Sequence, residues 1–462
     1  MASSLAAPDT TTPAPPPQPK TVSDVTILVG VFGLLLFAPL AFGAGGPISL
    51  AILECGSAVL LGLWFRGRFT QESIKIRSNP LFPPMLAFAA LVAIQLIFRT
   101  TGYWHDTFFT ALQYFAYATL TFLAVQCLRR SSQAKTLAVI FSTYGFAVAS
   151  FALLQGLAPN GKIYWIRTPA HGGWIYGPFA NHNSYAGLME LLVPIPLVFC
   201  LSRYARGRIR STVALGAAVM AATIFFSGSR GGMLAFAVQL VVLGVVVAKM
   251  QKGPAVAAGI GVFAVLMIGL LIWIGGVELT KRVATIGTET RQELAGGLRW
   301  TVNKDGMRMF AKRPILGWGL GTFANTYPQF RSFYTSFLIN EAHDDYLQFL
   351  VETGAVGFAI VLWYLITFYR NALAKLGDWP NDINGAIALT SMIACTGILV
   401  HSFVDFNLQV NSNAALFYVF CALGAAPQTV ESRPRVRRTR SLHSRTPELE
   451  MNNDAVGQDT PL

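Results

Sequence analysis

A histidine followed directly by two carboxylates, Ala342-His343-Asp344-Asp345-Tyr346, closes a long polar stretch at residues 278 to 345. A neighbouring acid can orient an imidazole and fix its tautomer, which suits His343 to act as a general base on a hydroxyl, with Asp344 as a supporting group. The same three side chains could instead hold a metal. Adjacent residues on a helix point in different directions, however, and no second His or Cys stands at metal spacing, so the pattern favours chemistry without a metal.

Arginines supply the complementary chemistry. In Ser227-Gly228-Ser229-Arg230-Gly231-Gly232 the glycines would let a phosphate approach the backbone, and a guanidinium fork can grip it with two hydrogen bonds. No acid flanks Arg230 in the sequence. An interfacial arginine reaching for water explains this turn equally well. Arg299 and Trp300 open an amphipathic helix expected to run through Met307, Met309 and Phe310 to Lys312 and Arg313, where Pro314 ends it. The string Leu316-Gly317-Trp318-Gly319-Leu320-Gly321 has no strand before it and does not read as a nucleotide loop.

Two more polar clusters complete the set. In Gly177-Pro178-Phe179-Ala180-Asn181-His182-Asn183-Ser184, Asn183 or Ser184 is expected to cap a helix whose free N–H groups favour an anion. A simple cap beside an aromatic belt of Tyr164, Trp165 and Trp174 accounts for it as well. In His401-Ser402-Phe403-Val404-Asp405-Phe406-Asn407, His401 and Asp405 stand four apart and could share a helix face, or merely end a helix with hydrogen-bonded groups.

These clusters need a scaffold that brings them to one surface, and the composition supplies it. Hydrophobic residues make up 53 % of the 462 and charged residues only 12 %, against roughly 25 % charged in a soluble domain. The chain reads as an all-α polytopic membrane protein. About twelve spans are expected, near residues 25–44, 47–65, 80–98, 107–128, 134–157, 183–202, 211–228, 231–249, 254–277, 346–370, 384–404 and 412–427, each long enough to cross about 30 Å of hydrocarbon. All four clusters then fall at the same ends of their spans.

The net charge of +13 does not signal nucleic acid, because the basic residues gather in alternate short loops. With the N-terminus in the cytoplasm, the inside segments hold Lys20, Arg66, Arg68, Lys75, Arg77, Arg129, Arg130, Lys135, Arg203, Arg206, Arg208, Arg210, Lys249, Lys252, Arg370, Lys375 and the basic tail from Arg433 to Arg445. The short outside loops hold only Arg99, Lys162, Arg167 and Arg230. The positive-inside rule therefore puts both termini in the cytoplasm and the polar clusters, with the 278–345 loop, outside. Residues 1–24, rich in Thr and Pro, read as a disordered cytoplasmic tail, residues 25–427 as the membrane domain, and residues 428–462 as a basic disordered tail near anionic headgroups. All five cysteines lie in expected spans, so no disulfide is expected.

These residues resemble the O-antigen ligase and polymerase superfamily of bacterial membrane glycosyltransferases. The resemblance covers roughly residues 140 to 425 and is strongest at Gly177 to Ala186, Ser227 to Gly232, Arg299 to Phe323 and His343 to Gly357. It implies a large periplasmic loop between late helices, a fold similar to the C-type membrane glycosyltransferases, residence in the bacterial inner membrane, and a glycan donor linked to undecaprenyl diphosphate, used without metal or nucleotide. Carried over singly, the family's essential loop histidine corresponds to His343, its short-turn arginine to Arg230, and its long-loop arginine to Arg299. Asp405 is set against an acid in the last external loop. Asp344, Arg313, Asn181 and Asn183 remain supporting candidates. Relatives often carry a tryptophan one turn after the loop arginine, where this chain has Asn303, with Trp300 adjacent to Arg299.

The resemblance implies transfer to an acceptor hydroxyl with inversion at the anomeric carbon. Ligation of O-antigen to lipid A core leads, with polysaccharide polymerisation and protein O-glycosylation as alternatives. A secondary transporter fits the number of spans but would place ionisable groups near the bilayer midplane, whereas here Glu54, Glu190 and Glu352 are the main acids near or within spans and the other polar groups cluster at external ends.

Overall fold

The computed structural model describes residues 23–69, 76–169, 174–250, 261, 265, 298–334 and 339–430. Helices dominate these residues, and among them strand pairing is confined to two isolated bridges in loops. The helices are α1 (Asp24–Leu40), α2 (Pro47–Phe69), α3 (Phe82–Ile97), α4 (Trp104–Cys127), α5 (Ser131–Leu157), α6 (His182–Leu192), α7 (Pro194–Leu201), α8 (Gly207–Phe226), α9 (Arg230–Met250), α10 (Leu298–Lys312), α11 (Phe323–Thr326), α12 (Asp345–Leu373), α13 (Ile383–His401) and α14 (Asn411–Ala425).

Eight helical stretches among the described residues are long and apolar enough to cross a membrane, with α6 and α7 counting as one across the Pro194 break, and α1 and α3 are shorter apolar helices. Each of these falls where a span is expected. The span expected near 254–277 and the first part of the 278–345 loop lie outside the described residues, apart from isolated helical positions at 261 and 265.

Helices that are apolar all round belong inside a bundle. α6, α13 and α14 fit that rule, with Leu188, Leu192, Leu389, Ile393, Ile398, Leu416 and Val419 buried. The outer helices turn Ile48, Leu86, Val139 and Ile366 outward, the surface that a lipid would cover.

At one end of the bundle the cationic side chains tie helix ends together. Arg68 pairs with Asp24 at 2.8 Å, Arg129 approaches the same carboxylate at 3.6 Å, and Arg77 donates to the carbonyl of Leu128. Lys375 donates to the carbonyl of Ala426, and the chain stays packed through Val430, whose amide donates to Asn384. The opposite end carries the polar clusters.

α12 is broken one third of the way along, where Gly354 takes φ 67° and ψ −171°, a conformation open only to glycine. The segment after α10 threads this break. Trp318 and Gly319 donate to the carbonyls of Val351 and Glu352, and Ala355 and Val356 donate to those of Pro314 and Ile315. Glu352 accepts from the amides of Gly321 and Phe323, and Gln95 of α3 ties the same segment at Leu316 and Leu320. α10 is thus locked to α12 through the backbone.

Candidate active site

α10 and α12, so joined, set two of the candidate residues. Arg299, in the first turn of α10, donates to the carbonyl of Val404 at 2.7 Å. His343, just before α12, has φ 55°, a left-handed conformation that costs a non-glycine residue about 1 kcal/mol. Asp344 caps α12 by accepting the amide of Leu347, and the Asp345 amide donates to the Ser402 carbonyl. The buried Asp345 carboxylate accepts from Ser402, Leu408 and Gln409. Asp345 therefore anchors the loop after α13 directly beneath His343.

That loop carries Asp405. Its carboxylate lies 3.8 Å from His343 Nδ1 and accepts a close hydrogen bond from the Asn183 side-chain amide. The His343 ring rests edge-on against Phe406 at 4.9 Å and keeps 34 % of its side chain exposed, while Nδ1 is buried with no hydrogen-bond partner among the described residues. A buried ring nitrogen this close to a carboxylate calls for a functional explanation. Burial pushes the Asp405 carboxyl up, but His343, His401 and Arg299 outweigh it and hold it below the usual carboxylate range. Glu341 moves the other way, because burial lifts it while His343 opposes and Asp405 reinforces the rise. Burial likewise raises Asp344, against the amides of Leu347 and Tyr346.

Arg230 opens α9, and its turn reaches the same loop from the opposite side. A Cβ on Gly231 would meet the His401 ring at 2.5 Å and Val404 Cγ2 at 2.9 Å. Val404 is thus flanked by the Arg230 turn and by the Arg299 guanidinium. One hemisphere of the bundle end holds His343, Asp405, Asn183, Arg299 and Arg230.

Other expectations resolve differently. α6 is capped by Asn181, whose side chain accepts the Asn183 amide at 2.8 Å, so the cap is neither Asn183 nor Ser184. That frees the Asn183 side chain to hold Asp405. His401 and Asp405 share no helix face, because α13 ends at His401 and a turn follows. Arg313 stands apart from the group, its guanidinium donating to the Thr100 carbonyl and lying 4.2 Å over the Trp318 ring. No cluster of three metal-ligating side chains occurs among the described residues.

Sequence reasoning passed over two acids near this site. Glu341 directly precedes the Ala342–Tyr346 motif, and the sequence assigns it no role. Glu190, in the last turn of α6, pairs with His401 at 2.7 Å, and a carboxylate inside an apolar span is the signal for it.

A helical bundle with several membrane-length spans and a His, carboxylate and arginine group at one end defines a multi-pass membrane protein with an enzyme-like site. A model described as O-antigen ligase matches residues 215–362, about a third of the chain, and this match supports a place in the O-antigen ligase superfamily. The matched stretch contains Arg230, Arg299 and His343, while Asn183 and Asp405 lie outside it. No curated protein matches the chain. The family points to a glycosyltransferase-like enzyme of lipopolysaccharide or polysaccharide biosynthesis, with a glycan or lipid-linked substrate.

Proposed function

We propose that the protein transfers a glycan from undecaprenyl diphosphate to an acceptor hydroxyl on the periplasmic side of the bacterial inner membrane, joining O-antigen to lipid A core. The observation that carries this reading is that the Arg230–Gly231 turn and the Arg299 guanidinium both meet Val404, Gly231 by its backbone and Arg299 by its side chain, beside the His343–Asp405 pair. Two guanidinium groups suit a diphosphate. Charge-assisted bonds of about 1.5 to 3 kcal/mol each would favour the negative charge that grows as the carrier leaves.

In the reaction, the acceptor hydroxyl gives its proton to His343 Nε2 while its oxygen attacks the anomeric carbon. The bond from that carbon to the phosphate oxygen breaks on the opposite face, its electrons pass to the diphosphate, and the centre inverts. Asp405 holds Nδ1–H and stabilises the imidazolium. The 3.8 Å separation is one that bound substrate would tighten to a hydrogen bond. The sugar diphosphate is already an activated donor, so the step requires no cofactor.

The test is the glycan profile of a strain lacking the gene, with wild-type and His343→Ala copies returned in parallel. Long glycan stranded on undecaprenyl diphosphate beside bare lipid A core, restored by wild type alone, supports ligation. Single repeat units on both carrier and core would mean polymerisation instead. An unchanged profile would sink both and direct attention to glycoproteins.

A further inference from the structure

Directly beneath the site lies a polar group that the mechanism above does not use. Glu190 and His401 are fully buried, and Glu190 Oε1 stands 2.7 Å from His401 Nδ1. The other ring nitrogen, Nε2, lies 3.4 Å from Ser229 Oγ, the residue before Arg230. Ser229 Oγ in turn accepts the Gly232 amide at 3.1 Å. No methyl group fits along this contact. A Cβ on Gly231 would strike the His401 ring, and one on Gly232 would meet Ala186 at 2.7 Å and Glu190 Oε1 at 3.3 Å.

The His401 backbone grips the second half of the site. Its carbonyl accepts the amides of Val404 at 3.0 Å and Asp405 at 3.1 Å. One residue therefore touches the Arg230 turn with its ring and the Val404–Asp405 loop with its carbonyl. The carbonyl contact would survive any substitution, but the ring contact depends on Glu190. A carboxylate inside an apolar span, with Oε2 buried and unbonded among the described residues, is a costly arrangement for helix packing alone.

We propose that Glu190, His401 and Ser229 form a positioning network that fixes the angle at which Arg230 meets the donor diphosphate. With the Nδ1 proton directed at Glu190, Nε2 is left to accept the Ser229 hydroxyl proton, and the first turn of α9 is held in one orientation. The inference rests on the diphosphate reading of Arg230. These three are positioning residues, since none faces the reacting atoms.

The test measures binding of undecaprenyl diphosphate to the full chain in lipid nanodiscs, for wild type, Glu190→Leu, Glu190→Gln and Ser229→Ala, each also combined with Arg230→Ala. Glu190→Leu and Ser229→Ala are expected to weaken binding about tenfold, on the scale of coupling between residues in contact. Glu190→Gln keeps an acceptor oxygen and should recover most of the loss. In the Arg230→Ala background the same changes should have no further effect, which a general loss of packing would not produce. Should Glu190→Leu fail to fold, Ser229→Ala carries the test, because it removes a single oxygen. Unchanged affinity in the folded variants, or an equal loss without Arg230, would overturn the network. If wild type itself binds no undecaprenyl diphosphate, the diphosphate reading fails first and the network falls with it.

Discussion

At the scale of single residues, the site is a set of small placements with separable consequences. His343→Ala should abolish glycan transfer while membrane insertion stays normal, and near wild-type transfer in that variant would remove the base role. Asp405→Asn keeps an acceptor oxygen for one of the two hydrogen bonds from Phe406 and Asn183 but loses the charge that faces His343. Its kcat should fall by about a hundredfold, the scale of general-base assistance, with little change in donor KM. Acid should not mimic this substitution in the working range. Asp405 is held below its ordinary value, so its contribution to stability is fully present above the unfolded carboxyl pKa of about 3.9 and disappears only as pH falls through the lower folded value. Glu341 carries the opposite sign. Its raised folded value means the fold binds that proton more tightly than the unfolded chain, so ionisation at neutral pH costs stability and acid restores it. Glu341→Gln should therefore raise the melting temperature by about 1 to 2 °C at pH 8 and by less at pH 4. An equal shift at both pH values would show that the burial of this carboxyl has no energetic weight.

At the scale of elements, the helices were legible in the sequence and the joints between them were not. Runs such as Leu53 to Leu63 or Ile383 to Val400 announce buried or lipid-facing helices by composition alone. The helix from Arg299 to Lys312, ending before Pro314, was equally readable, because a proline cannot continue a helix of ordinary geometry. The break at Gly354 was not, since it exists to admit the Pro314–Gly319 backbone, a partner about forty residues earlier whose approach no local pattern encodes. The pairing of Glu190 with His401, 211 residues apart, was hidden for the same reason. The joint gives a sharp prediction. A Cβ at position 354 would stand 2.2 Å from the Ile315 carbonyl oxygen, on a backbone that only glycine adopts, so Gly354→Ala should destabilise the protein by more than about 2 kcal/mol. Gly33, in α1, meets nothing within 4 Å and lies on ordinary helical backbone. Gly33→Ala should be neutral or stabilise by up to about 1 kcal/mol, because it lowers the entropy of the unfolded chain. Thermal unfolding of the two variants in one detergent tests the contrast, and comparable losses would mean that the joint is not what makes position 354 special.

At the scale of the whole molecule, the two ends of the bundle differ in what they can do. One end is bound together by Arg68, Arg77, Arg129 and Lys375, each held by carboxylates or helix-end carbonyls, and stands where the positive-inside rule puts the cytoplasm. The other gathers His343, Asp405, Arg230 and Arg299, so the proposed chemistry is sided, and the sidedness can be measured without any substrate. In a variant whose five native cysteines are replaced, a single cysteine at Tyr334, which is 90 % exposed and follows the α10 segment, should react with a membrane-impermeant maleimide in intact cells with a permeabilised outer membrane. A single cysteine at Ile209, 62 % exposed in the first turn of α8 at the basic end, should react only after the inner membrane is lysed. The reverse pattern would put His343 in the cytoplasm, where the glycan to be transferred would still have to cross the membrane after the reaction. The acceptor would then have to be a cytoplasmic molecule, and joining a finished glycan to lipid A core outside the inner membrane would no longer be possible for this site.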